Sequence, residues 1–162
     1  MVFSSRLKSF LAAVLVLAGT SVAFAAPTEV TSRLEVHKVV VKDGKAQFET
    51  ATKALPGDVL DYELEYLNHT ASSIRQLTAT LPVPKGTVFV PGGQGPVPEM
   101  ASADGVHFQP YPLENSVVSK DGKVTQEAVP FSQYRAVRWS GKTLPAHAML
   151  ALHMRIRVQS SR

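Results

Sequence analysis

The chain has 162 residues, 44% of them hydrophobic, with 17 Lys and Arg, 13 Asp and Glu, and no cysteine. The missing cysteine excludes disulfides, thiolate catalysis, iron–sulfur clusters and cysteine-bound zinc. A net charge of +4 without any nucleic-acid-binding motif excludes DNA and RNA as partners.

Residues 1–25 read as an export signal. Arg6 and Lys8 precede an apolar run from Phe10 to Gly19, and Ala23-Phe24-Ala25 supplies the small residues that a signal peptidase reads. The run is about half the roughly 20 residues that span a bilayer. Cleavage after Ala25 is expected, leaving 137 of the 162 residues and no transmembrane segment. Both Arg6 and Lys8 leave and every acidic residue stays, so the net charge falls to +2. Residues 26–162 are enough for one domain of two packed layers.

The first predicted strand is Leu34–Val41, turned by Asp43-Gly44 into a short return over Ala46–Thr50. Pro56-Gly57 opens the next strand, where Leu60, Tyr62, Leu64 and Tyr66 share one face and Asp61, Glu63 and Glu65 the other. After Asn68-His69-Thr70, a strand from Ile74 to Thr80 ends at the prolines of Leu81–Gly86. Thr87–Val90 is a four-residue strand, and Pro91–Gly105 reads as an exposed loop. Val106–Phe108 is expected to be a brief strand, and Val117–Gln126 a hairpin about Lys120–Lys123. Tyr134–Trp139 follows, turned by Ser140-Gly141. In the last strand Ala148, Leu150, Leu152, Met154, Ile156 and Val158 alternate with His147, Met149, Ala151, His153, Arg155 and Arg157. Strands at this spacing, with no amphipathic helix, predict an all-β sandwich of about seven to nine strands.

The order of landmarks resembles the bacterial domain of unknown function eleven, also called the conserved repeat domain. They are Pro56, Gly57 and Asp58; Tyr62 and Asn68; Leu81, Pro82 and Gly86; Trp139; and Leu144. The resemblance covers residues 55–158. Leu144-Pro145-Ala146-His147 replaces the family's usual Pro/Ala-Gly turn, and Thr80 replaces its Asp. The resemblance implies an immunoglobulin-like sandwich on an exported or surface-displayed bacterial protein, and it transfers no catalytic residue.

Most of these landmarks have structural work to do. Gly57 and Gly86 suit turns that need positive φ, and Asn68 suits the end of a strand. Trp139 is expected in the core, with Tyr62 and Tyr66 on the inward face of their strand. An exposed Trp139 would instead offer a stacking surface for carbohydrate.

Among reactive groups, His147 and Met149 are the best candidates. Imidazole and thioether together suit copper, and the two lie roughly 7 Å apart on an extended strand. His153, roughly 20 Å from His147, is too far to join them, although its parity places it on the same outward face. Asp61, Glu63 and Glu65 read as a solvated strand face, because carboxylates along one straight strand cannot converge on Ca²⁺. Arg155 and Arg157, with Arg135 and Arg138 in the preceding strand, form a basic rim. No Gly-x-Ser-x-Gly elbow is present, so no enzyme is expected. The expected function is that of an exported, non-catalytic, cofactor-free monomer that meets a protein partner in the periplasm or at the cell surface. The alternative is a periplasmic copper carrier using His147 and Met149.

Overall fold

Alternating side chains force each extended segment to bury one side of its pleat. The computed structural model describes residues 29–160, so the signal segment read over residues 1–25 lies outside the described residues. The strands are β1 (Val30–Lys42), β2 (Lys45–Thr50), β3 (Val59–Asn68), β4 (Ile74–Pro82), β5 (Thr87–Val90) and β6 (Met100–Ser102). They continue with β7 (Gln109–Pro110), β8 (Glu114–Val118), β9 (Val124–Ala128), β10 (Ala136–Leu144) and β11 (Met149–Val158). One 3₁₀ turn, Phe131–Gln133, precedes β10. No helix among the described residues is long and apolar enough to cross a membrane.

The protein is all-β. A five-stranded sheet runs β2-β1-β3-β11-β5, a four-stranded sheet runs β4-β10-β6-β7, and β8 and β9 form a separate hairpin. Leu60 and Leu64 of β3 and Leu152, Met154 and Ile156 of β11 share one core with Ala79 and Leu81 of β4 and Val137 and Trp139 of β10. This arrangement is consistent with a β-sandwich. Tyr62 and Tyr66 are half-buried against that core. At one end Phe89 stacks on Tyr134 at 5.6 Å, with Phe131 and Tyr111 edge-on to Tyr134.

The Pro-Gly turn before β3 is closed by the Asp58 N–H donating to the Leu55 carbonyl at 3.0 Å. Gly57 has a φ of 91°, which a side chain would strain. Lys38 Nζ meets the Asp58 carboxylate at 2.8 Å, pinning the turn to β1. Gly86 (φ 77°) sits in the corresponding turn before β5.

Asn68 does more than end its strand. It is fully buried, and its amide donates to the carbonyls of Ser72 (2.8 Å), Leu144 (3.2 Å) and Pro145 (2.8 Å). Its Oδ1 accepts from the N–H and the hydroxyl of Thr70. One side chain thus latches the end of β3 to the end of β10, 76 residues away.

Three segments differ from the sequence reading. Within Pro91–Gly105, Met100–Ser102 forms β6, paired to both β10 and β7, with Ala101 and Ser102 fully buried. Val106–Phe108 is not a strand, because Asp104 has taken its amides. Asp104 Oδ1 accepts from the N–H groups of Val106 and His107, each at 2.8 Å. Ser140-Gly141 is a bulge rather than a turn. The register with β4 shifts between Trp139 and Lys142, and β10 continues to Leu144.

The Asp104 knot makes one acid-sensitive feature. The His107 ring holds the Asp104 carboxyl well below its ordinary range, helped by the two amides and the Ser102 hydroxyl. A carboxyl whose folded pKa is depressed stabilises the fold above its unfolded pKa of about 3.9 and loses that effect as pH falls through the folded value. Melts from neutral pH down to about pH 2 should therefore show a smaller acid-induced drop in Tm for Asp104→Asn than for the parent chain. An equal drop would remove Asp104 from the acid response.

Candidate functional site

The outward face of β1, β3 and β11 gathers ionisable side chains in two rows. Register pairs Glu35 with Glu63 and Glu63 with His153 in one row. In the next, His37 pairs with Asp61 and Asp61 with Arg155. All six alternate with residues that point into the core, so they lie on the opposite side of the sheet from Leu60, Leu64 and Leu152.

Asp61 is the centre of this face and is fully buried. It accepts from Arg155 Nε at 2.9 Å and bonds His153 Nδ1 at 2.8 Å. Its Oδ1 and Oδ2 are thus occupied by different partners. Arg155 is held further by the Gly92 carbonyl at 3.2 Å and by the Phe48 ring, 5.7 Å below its guanidinium. Phe48 also stands edge-on to His37, with ring centroids 6.4 Å apart. The solvated acidic face expected for Asp61, Glu63 and Glu65 is therefore corrected at Asp61, which belongs to a covered ion-pair network.

The cover comes from the Gly- and Pro-rich segment after β5. Strand β5 pairs only with Arg155–Val158, and residues 92–96 run along the part of β11 that it leaves bare. Gly95 has a φ of 77°, which favours glycine, and a Cβ there would crowd His153 Cδ2 at 3.3 Å. The segment is tethered at its far end, where Trp139 Nε1 donates to the Pro96 carbonyl at 2.8 Å. A small cavity of about 200 Å³ lies between this segment, Tyr111, His153 and Arg155.

Beside the outer face, Glu35, His37 and Glu63 bring one ligand atom each within 4.8 Å of one another. His37 Nε2 lies 3.5 Å from both Glu35 Oε2 and Glu63 Oε2. Arg33 pairs with the other oxygen of Glu35, and His153 Nε2 lies 3.8 Å from the other oxygen of Glu63.

The other predicted residues fall elsewhere. His147 sits in the turn before β11 with a φ of 54°, its N–H donating to Thr70, so the alternation of β11 does not extend to it. His147 and Met149 are both exposed, whereas His153 is covered. Trp139 is fully buried and leaves no ring face for a sugar. The four arginines do not form one rim, because β10 and β11 belong to different sheets. Arg138 stacks on Phe108 and donates to Thr80, while Arg135 donates to the carbonyls of Ser132 and Tyr134. A larger groove of about 790 Å³ borders β5, lined by Val88, Val90, Phe131 and Arg157 among others. Arg157 is its one ionisable side chain among the described residues, which is too little for acid–base chemistry.

No protein-family model, curated protein or solved structure matches the chain.

Proposed function

We propose that this chain is an exported, non-catalytic, immunoglobulin-like β-sandwich that acts by binding a protein partner in the cell envelope. The observation that carries this reading is the β1–β2 hairpin. All six residues of β2 are exposed, and β2 has a hydrogen-bonded neighbour on one side only. Apolar side chains stand out on the same hairpin: Leu34 is 51% exposed, Val41 73% and Phe48 37%. An open strand border flanked by apolar groups is a surface that gains from a protein covering it, through main-chain hydrogen bonds and burial together. The export-type leader and the landmark order resembling the conserved repeat domain support the address and the immunoglobulin-like topology.

The test is site-specific photo-crosslinking in cells that export the protein. A benzophenone side chain at Phe48 or Val41 is expected to give a discrete protein adduct, and one at Val118 on the separate β8–β9 hairpin is not. Adducts absent from Phe48 and Val41, or equally abundant from Val118, would overturn the proposal.

A further inference from the structure

We propose that Glu35, His37 and Glu63 form a binding site for a zinc-type divalent ion on the outer face of the five-stranded sheet. The sheet's register makes the site. Glu35 and Glu63 are direct cross-strand partners, and His37 is two residues from Glu35 on the same side of β1. The three donor atoms need no movement of the backbone to converge, since they already lie within 4.8 Å of one another.

The spacing fits a metal better than it fits hydrogen bonds. His37 Nε2 lies 3.5 Å from each carboxylate oxygen, beyond the 2.7–3.2 Å of a good N–H···O bond. Donors bound at about 2.0–2.2 Å around a tetrahedral ion stand roughly 3.3–3.6 Å apart. Both separations from His37 fall in that range, and the two carboxylate oxygens lie within 4.8 Å of each other. Two carboxylates and an imidazole are also the oxygen and nitrogen donors that zinc accepts, whereas Ca²⁺ takes six to eight oxygens.

The surroundings add a second argument. Asp61, tied to Arg155, orients the His153 ring through Nδ1 and turns its Nε2 toward the Glu63 carboxylate. That nitrogen lies 3.8 Å from Glu63, too far for a direct hydrogen bond. A cation held by Glu63 sits beside this nitrogen. It also makes His153, oriented by Asp61, the nearest further donor, in the carboxylate–histidine–metal arrangement common around zinc. The charges facing the site are Arg33 and Glu35 from β1, Asp61, Glu63 and Glu65 from β3, and Arg155 from β11. Four carboxylates against two guanidinium groups leave a negative balance that favours a dication. Strand β2 contributes the Phe48 ring and, directly opposite His37, Thr50, neither of which carries a charge. This site is separate from the exposed His147 and Met149.

The experiment uses the untagged chain as isolated, stripped with a chelator and titrated with Zn²⁺ by calorimetry. One ion per chain should bind with a micromolar or tighter dissociation constant and raise Tm, and Ca²⁺ at the same concentration should do neither. In long-range nitrogen–proton NMR spectra, the His37 imidazole signals should move and those of His147 should not. His37→Ala and, as a variant that keeps the side-chain shape, Glu63→Gln should each weaken binding at least about tenfold. The His147→Ala/Met149→Ala double variant should bind as the parent does. The proposal is overturned if no Zn²⁺ binds, if Ca²⁺ binds equally well, or if binding survives His37→Ala and Glu63→Gln. Loss of binding in the His147/Met149 double variant alone would overturn it in favour of the other pair.

Discussion

Replacing Asp61 with alanine should destabilise the chain by about 3–5 kcal/mol, the usual result of removing one partner from a buried ion pair. The carboxylate is fully buried and serves both Arg155 and His153, whose side chains are only 16% and 11% exposed. Without it, the Arg155 guanidinium retains the Gly92 carbonyl and the Phe48 ring but no counter-charge. Asp61→Asn should also lose stability, because the amide offers Arg155 an acceptor but no negative charge to offset the guanidinium. Urea denaturation measures both. The decisive comparison is the triple variant Asp61→Leu/His153→Leu/Arg155→Met. Replacing a buried ionic cluster with apolar groups is often neutral, so much of the loss should return. A single Asp61→Ala variant within about 0.5 kcal/mol of the parent would show that water reaches this face and screens it.

Trp139→Ala should cost about 3–5 kcal/mol, as large-to-small changes at a fully buried aromatic do. For a domain of this size that lowers Tm by on the order of 10–15 °C. The substitution opens a cavity between the sheets and strands the Pro96 carbonyl, which accepts from the indole. Trp139→Phe separates the two effects: it keeps most of the apolar volume but removes the donor. Its Tm should fall less, while amide exchange in residues 92–95 should quicken, because that segment loses its tether. Unchanged exchange there would show that contacts with His153 and Arg155 hold the segment without help from Trp139.

The strands that alternate cleanly were legible in the sequence, and β3 and β11 follow their oily and wet residues nearly end to end. Turns with a conformational requirement were legible too, as at Pro56-Gly57. The short strand β6 was not. Three residues carry no period, and the glycines and prolines around them dominate the signal. The segment Val106–Phe108 was misread because one carboxylate, Asp104, outbids a neighbouring strand for its amides. The outer-face cluster was half legible. Parity placed Asp61, Glu63, His153 and Arg155 outward, but only register sets Glu35 opposite Glu63 and Asp61 between His37 and Arg155. Register depends on how strands from distant parts of the chain align, and no local pattern carries it. Arg135, Arg138, Arg155 and Arg157 failed for a related reason: adjacency in sequence hid a crossing from one layer to the other.

The borders of the five-stranded sheet are unequal. On the β5 side the strand is four residues long, and a backbone segment with its own prolines takes over where it stops. On the β2 side six residues lie open. A layer receptive along one margin cannot be extended into a filament by strand pairing, since each addition needs a second receptive margin. Two copies meeting β2 to β2 would consume the open margin of both and stop there.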